Sequence, residues 1–298
     1  MFCDLTDEQL ALRDELRAYF SGLLSPGERA ALLTERHGTV YRDVVRRMGR
    51  DGWLGLGWPA KYGGRGLGQV EQQIFVSEAA RADVPLPAVT LQTVGPVLQA
   101  YGTAGQKDFF LPRILAGEVH FAIGYTEPEA GTDLAALRTR AMRDGDTYLV
   151  NGEKVFTTGG HDADYIWLAC RTDPDAPRHR GISILIVDTA DPGFSWTPII
   201  THDGAHHTNA TYYSDVRVPV TMRGRGGERR LAAGDGAAQP RAGDAGPGGP
   251  DRRPVRPGVR LGGAGRAAGP ARRPAGAGAD LRQPADQRAA QLAGGRRR

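Results

Sequence analysis

The chain has 298 residues and a formal net charge of +4, from 38 basic and 34 acidic side chains. Residues 223 to 298 hold 17 Arg, no Lys and 6 acidic residues, so the positive excess belongs to this tail and the rest of the chain is net acidic. Only Cys3 and Cys170 are present, and no apolar run approaches the roughly 18 residues of a membrane span, which excludes a disulfide framework and a helical membrane protein and suits a reducing cytoplasm.

In chain order, Thr6 and Gln9 make a capping-box pattern at the start of a helix, with Leu5 placed to staple against Leu10. Leu12, Leu16 and Tyr19 then share one face. "YRDVVRRMGRDGWLGLGWP" predicts a second helix closed by Gly52, and "GQVEQQIFVSEAARA" and "TVGPVLQAYGTAGQKDFFLPRILAG" continue the helical period with breaks at Pro and Gly. Residues 1–117 are therefore expected to form an all-helical domain.

From 118 to 222 the period changes to that of strands. "TYLVNGEKVFTTG" reads as two strands around an Asn151-Gly152 hairpin turn, and "DYIWLACRT", "GISILIVDT" and "NATYYSDVRVPV" supply three more β-rich runs. Helices followed by strands without βαβ alternation predict an α+β chain, with a β-barrel-like second domain rather than a doubly wound nucleotide-binding sheet. Residues 223–298 contain no Ile, Phe, Tyr, Trp or Met. Such a segment lacks the apolar side chains that offset the entropy of ordering, so it is expected to be disordered.

Few residues announce chemistry when taken singly. "TEPEAGTD" alone is a turn, Phe156 alone a core residue and Thr158 alone an ordinary strand Thr. His202, Asp203, His206 and His207 lack metal-ligand spacing, since adjacent side chains on a strand diverge, and no metal site is expected. "GGRGLG" follows no strand and precedes no Lys-Ser/Thr, unlike a phosphate-binding loop. Glu127 and Glu129 form a carboxylate pair by eye, for which a turn or surface role is expected. The Arg-rich tail has no aromatic residue to stack on bases, so electrostatic stickiness is expected of it rather than specific nucleic-acid recognition.

Four stretches in collinear order change the weighing: "GWLGLGWPAKYGGRGLG", "GTAGQKDFFLPRILAGE", "FAIGYTEPEAGTDLAALRTRA" and "YLVNGEKVFTTGGHDADYIWLA". Over residues 5 to 222 the chain resembles an acyl-CoA dehydrogenase, most closely in wording the actinobacterial members associated with steroid and branched acyl-CoA breakdown. The resemblance implies FAD as cofactor, an acyl-CoA thioester as substrate, oxidation to the enoyl-CoA, and a homo- or hetero-oligomer. It implies that Thr126 meets the pyrimidine side of the flavin, with main-chain contacts from Tyr125. Gly131 and Thr132 would lie near the thioester and the cofactor's phosphate side, Thr132 reaching substrate as well as cofactor. Phe156 would lie against the flavin, Thr158 would bond flavin N5, and Thr157 between them would complete the cofactor-binding run.

The same resemblance implies a C-terminal helical bundle, which "GRGGERRLAAGDGAAQPRAGDAGPGG" does not spell. With suitable synonymous codons, residues 231 to 249 read one base later give Trp-Arg-Leu-Val-Thr-Ala-Gln-Leu-Asn-His-Glu-Arg-Val-Thr-Leu-Gly-Pro-Ala, close to the family's "WRLVTAQLNHERVTLGPA". The tail is accordingly expected to be a shifted reading frame. Arg241 and Ala242 cover the bases that would spell the Glu of the "ER" pair, the catalytic base in the isovaleryl-CoA and long-chain branches. No catalytic residue from that position is expected in the chain as written, and a noncatalytic flavin- or acyl-CoA-binding subunit is the alternative.

Overall fold

The computed structural model describes residues 4–224, and the expected disorder of the tail lies beyond them from 225 onward. The first helix, α1 (Asp7–Leu23), begins as its caps require: Gln9 N–H donates to Thr6 Oγ1 at 3.3 Å and Thr6 N–H to Gln9 Oε1 at 3.0 Å. Leu16 is buried, with Leu12 and Tyr19 packed beside it. α2 (Pro26–Thr34) went unread in the sequence, although Ser25, Pro26 and Glu28 form a second capping box with Pro at the first turn. α3 (Thr39–Arg50), α4 (Gln69–Arg81), α5 (Gly95–Tyr101) and α6 (Ala104–Leu115) follow. Gly52, at φ +74°, closes the turn after α3 as expected.

A π-helical turn, Val89–Val94, leads directly into α5. Its wide register was invisible to a search for the 3.6-residue period, and such turns recur beside functional sites. Here Thr90 Oγ1 accepts from Phe121 N–H at 2.9 Å, tying the helical part to the first strand.

The strands are β1 (Phe121–Gly124), β2 (Arg140–Asp144), β3 (Thr147–Thr158), β4 (Tyr165–Arg171), β5 (Ile182–Asp188), β6 (Phe194–Ile200), β7 (His206–Pro219) and β8 (Arg223–Gly224). They pair in the order β6-β7-β3-β2-β4-β5-β8, with β1 parallel to β4. One face of six strands feeds a single cluster that includes Ala122, Ala141, Val150, Leu168, Leu185 and Val216, which requires the sheet to curl on itself. The opposite face of β4 and β5, through Trp167, Ala169, Ile184 and Ile186, packs on the helices. Burial on both faces explains why these two strands read as nearly unbroken apolar runs. Arg223 and Gly224, assigned above to the tail, instead pair with Leu185 and Ile184.

The Asn151-Gly152 hairpin is corrected. β3 runs through both residues, and the turn between β2 and β3 is formed by Gly145 and Asp146, with Asp144 opposite Thr147. Asn151 spends its side chain on β7: Nδ2 donates to Asp215 Oδ1 at 2.8 Å, and Oδ1 accepts from Asp215 N–H at 3.1 Å. Gly152 sits at a register shift with φ +147°, where an added Cβ would lie 2.7 Å from Thr139 Cα. Glycine is required there by a bulge and a close backbone approach.

Candidate functional site

The loop after β1 carries the most specific motif, and two carboxylate oxygens organise it. Glu127 and Ala130 bond each other through their backbones, at 2.9 and 3.2 Å, closing the turn around Pro128 and Glu129. The Glu127 carboxylate accepts from Arg138 N–H at 2.6 Å, Thr139 N–H at 2.8 Å and Lys154 Nζ at 2.8 Å. Its residue exposure is 6% and that of Lys154 is 0%. The turn role expected of Glu127 is present, whereas the surface role is overturned. Burial opposes its ionisation, but the Lys154 ammonium and the two amides outweigh this and hold the carboxyl below the usual carboxylate range. Burial alone lowers the pKa of Lys154, and Glu127 counters that effect.

Lys154 also donates to the Tyr125 carbonyl at 3.0 Å, and Val155 N–H donates to the Thr126 carbonyl at 2.8 Å. The loop is thus stitched to β3 immediately before Phe156. Phe156 itself has φ +59° and is 64% exposed, an unusual cost for an aromatic residue in both respects. The register shift between Lys154 and Thr157 turns it out of the ladder. Thr158 is exposed one step later. Phe156 and Thr158 face outward together by strand alternation, and the bulge after Lys154 sets that face as the outward one.

Thr157 does not join them. Its side chain is buried, with Oγ1 3.3 Å from Thr211 Oγ1, and its carbonyl accepts from Asn209 Nδ2 at 3.1 Å. The Thr157 side chain is thus an inward anchor, on the face opposite Phe156 and Thr158. Tyr125 is packed against the helical core, and its carbonyl accepts from Lys154. Thr126 is half-buried, and Gly131 and Thr132 are exposed beside it. An added Cβ on Gly131 would meet only Thr126 Cγ2, at 4.0 Å, so the space over this turn is open. Of the predicted set, Thr126 and Gly131 lie together on the loop, while Phe156 and Thr158 lie on the strand pinned to it.

The loop after Thr158 is held by the helical part of the chain. Arg42 on α3 donates through Nε to Asp162 Oδ1 at 3.0 Å and through Nη1 to Asp164 Oδ1 at 3.1 Å, and Asp164 Oδ2 accepts from His120 N–H at 2.8 Å. Gly159, at φ +68°, lets His37 approach; an added Cβ would be 2.9 Å from His37 Cε1. Two adjoining chambers open at Thr158. One, of about 540 Å³, is bounded by residues including Val76, Val84, Leu86, Gln92 and His207; the other, of about 160 Å³, by Val89, Thr90 and His120. His37, Tyr41, Leu86, Ala88 and Thr158 line both. None of the helical residues among these was singled out in the sequence, since nothing local distinguishes a cavity-lining Tyr from a core Tyr.

An exposed aromatic ring, an outward hydroxyl next to it and open space over a glycine turn suit a flat, polar-edged ring system such as a flavin. Comparisons agree. The acyl-CoA dehydrogenase N-terminal domain matches residues 6–118 and the middle domain residues 122–216. The acyl-CoA dehydrogenase FadE29 of Mycobacterium tuberculosis is 74% identical over 222 residues, covering 74% of this chain and 57% of that protein. The ChsE4-ChsE5 complex from Mycobacterium tuberculosis contains a chain 53% identical, with a TM-score of 0.73 over 78% of this chain and 60% of that one. The Tcur3481-Tcur3483 steroid ACAD gives the same identity and TM-score over 78% of this chain and 61% of its own. The chain thus spans less than two thirds of the length of these relatives. With matched domains covering nearly all the described residues, around a surface suited to the FAD on which this family depends, the chain belongs to the acyl-CoA dehydrogenase family.

Proposed function

We propose that the described region is the flavin- and acyl-CoA-binding part of an enzyme that dehydrogenates an acyl-CoA thioester to the enoyl-CoA. The observation that carries this reading is the outward pair Phe156 and Thr158, on the strand pinned to the Thr126 loop, with Thr158 lining a chamber whose walls mix apolar side chains with Arg36, Asp83 and His207. FAD, when bound, supplies the two-electron acceptor. Phe156 would cover one side of the ring system and exclude water, while the hydroxyls of Thr126 and Thr158 would donate hydrogen bonds to its polar edge. Thr132 would contact the cofactor's phosphate side and the thioester. The Tcur3481-Tcur3483 steroid ACAD supports a steroid-type acyl group, and with the ChsE4-ChsE5 complex it supports assembly with a second subunit.

Removal of the α proton needs a carboxylate that the family brings from its helical bundle, and Arg241 and Ala242 stand where the shifted frame would spell that Glu. The chain as written should therefore dehydrogenate acyl-CoA poorly, by about 10²-fold or more relative to a version with the frame restored after Met222, because a general base contributes about 10²- to 10⁴-fold. The test compares the two proteins, each supplied with FAD, for acceptor reduction by a panel of acyl-CoA and steroid-CoA thioesters. Equal turnover would show that another carboxylate serves as base. Binding of FAD and thioester without turnover would favour the second reading, a noncatalytic subunit, to which the Arg241-Ala242 sequence points.

A further inference from the structure

Asn209 on β7 is fully buried opposite Thr157, the residue between Phe156 and Thr158. Its side chain meets three groups: Nδ2 lies 3.1 Å from the Thr157 carbonyl and 3.0 Å from His161 Nδ1, and Oδ1 lies 2.7 Å from His206 Nε2. A carbonyl oxygen only accepts, so the amide must present its nitrogen to Thr157. That nitrogen only donates, so His161 Nδ1 holds a lone pair and the ring carries its proton on Nε2. The amide oxygen then takes the proton of His206 Nε2. One backbone carbonyl thereby decides the amide orientation and both tautomers. His161 Nε2 is buried with no hydrogen-bond partner among the described residues, so no second bond competes for the tautomer. The two imidazoles stack with centroids 4.0 Å apart, Trp196 lies 5.6 Å from each, and His37 meets His161 edge-on at 4.9 Å.

We propose that Asn209 is a positioning residue for the run from Phe156 to Thr158, holding it in its outward form from behind, and that it does so only while His161 keeps a lone pair on Nδ1. The proposal rests on the flavin reading above for what the run receives. A proton on Nδ1 would set donor against donor. The amide cannot answer by turning over, because its oxygen would then face the Thr157 carbonyl, so it must move off and release that carbonyl. The same carbonyl accepts from Gly160 N–H at 3.2 Å, so the loop after Thr158 shares the anchor. Titratable and charged groups reach His161 from each element packed on it: His206 from β7, His37 and Glu35 from the segment between α2 and α3, and Asp162 from its own loop. Burial first, then His206 and His37, lower its pKa from 6.5 to about 4 against the pull of Asp162 and Glu35. The lone pair is therefore present at neutral pH and lost in acid.

The experiment uses the full 298-residue chain, isotope-labelled for NMR. Ring-nitrogen shifts should show His161 protonated on Nε2 at neutral pH; a proton on Nδ1 would overturn the proposal. As pH falls from about 7 to about 4.5, where about a quarter of His161 is charged, the backbone amides of Phe156, Thr157 and Thr158 should move together with the His161 ring. His161→Phe keeps an aromatic ring beside His206 and leaves the Asn209 bond to Thr157, but it cannot titrate, so the three amides should stop following pH. Movement that persists in this variant belongs to another group, such as His120, and would overturn the coupling. At neutral pH, Asn209→Ala should bind FAD about tenfold more weakly than the parent, the effect of one hydrogen bond. A folded Asn209→Ala protein with undiminished FAD affinity would reduce Asn209 to a part in stability and overturn the positioning role. If Asn209→Ala does not fold, the histidine spectrum and His161→Phe decide. Failure of the parent to bind FAD would instead remove the flavin reading, with the tautomer and titration results still standing or falling by themselves.

Discussion

Lys154 is the residue whose environment departs furthest from its type. A lysine between Glu153 and Val155 reads as a solvent-facing strand position, yet its ammonium is fully buried on Glu127 and the Tyr125 carbonyl. Removing one member of such a pair strands the other, so Lys154→Met should cost about 3–5 kcal/mol in urea unfolding. In Lys154→Met/Glu127→Gln the remaining side chain is neutral, and its one oxygen still accepts from one of the Arg138 and Thr139 amides, which the carboxylate meets with separate oxygens. The double variant should lose less than the sum of the single losses, and additivity would argue against direct coupling. His120 sets a pH dependence. Burial first, then the charge of Arg42, depresses its pKa from 6.5 to about 4. Between those values the unfolded chain binds the proton and the folded one does not. Its contribution is therefore complete above pH 6.5 and is lost as pH falls through about 4, an effect of order 3 kcal/mol. His120→Asn should flatten the stability profile between pH 6.5 and 4.5; an unchanged slope would assign the loss to other groups.

At the scale of elements, caps and periods were legible because their signals lie within one or two turns of chain. The capping box at Thr6 is formed as the sequence implies, and the apolar stripe of α1 is the buried one. Strand β3 shows where local signals mislead. Asn-Gly is a strong turn signal, but at residues 151 and 152 the side chain bonds β7 and the glycine serves a bulge. Gly152→Ala should therefore cost about 1–3 kcal/mol, from backbone strain at φ +147° together with the clash on Thr139. Chemical denaturation measures it, and a loss below a few tenths would mean that the loop bearing Thr139 shifts freely. The bulge at Phe156 has the same lesson in the site: alternation placed 156 and 158 on one face and 157 on the other, while only the bulge after the buried Lys154 decides that 157 is the residue sealed inside.

At the scale of the whole molecule, Arg42 links helices to strands at the point where the chambers open. Its guanidinium binds Asp162 and Asp164, and Asp164 in turn takes the His120 amide. Arg42→Met should lower stability by about 3 kcal/mol, because two partly buried carboxylates lose their counter-charge. It should also speed amide exchange at His120 and through residues 159 to 164; exchange confined to α3 would show that the clamp does not position the loop after Thr158. The sequence by itself determined the helical and strand-rich parts, the α+β class and the family motifs, because helix caps, apolar period and turn glycines act between near neighbours in the chain. Only the tertiary structure decided that Lys154 is buried, that Thr157 faces inward and that Tyr41 and His37 share a cavity with Thr158. Those outcomes depend on which distant groups meet: a buried charge is tolerable only opposite a partner, and a cavity exists only where two separately folded surfaces fail to fill the space between them.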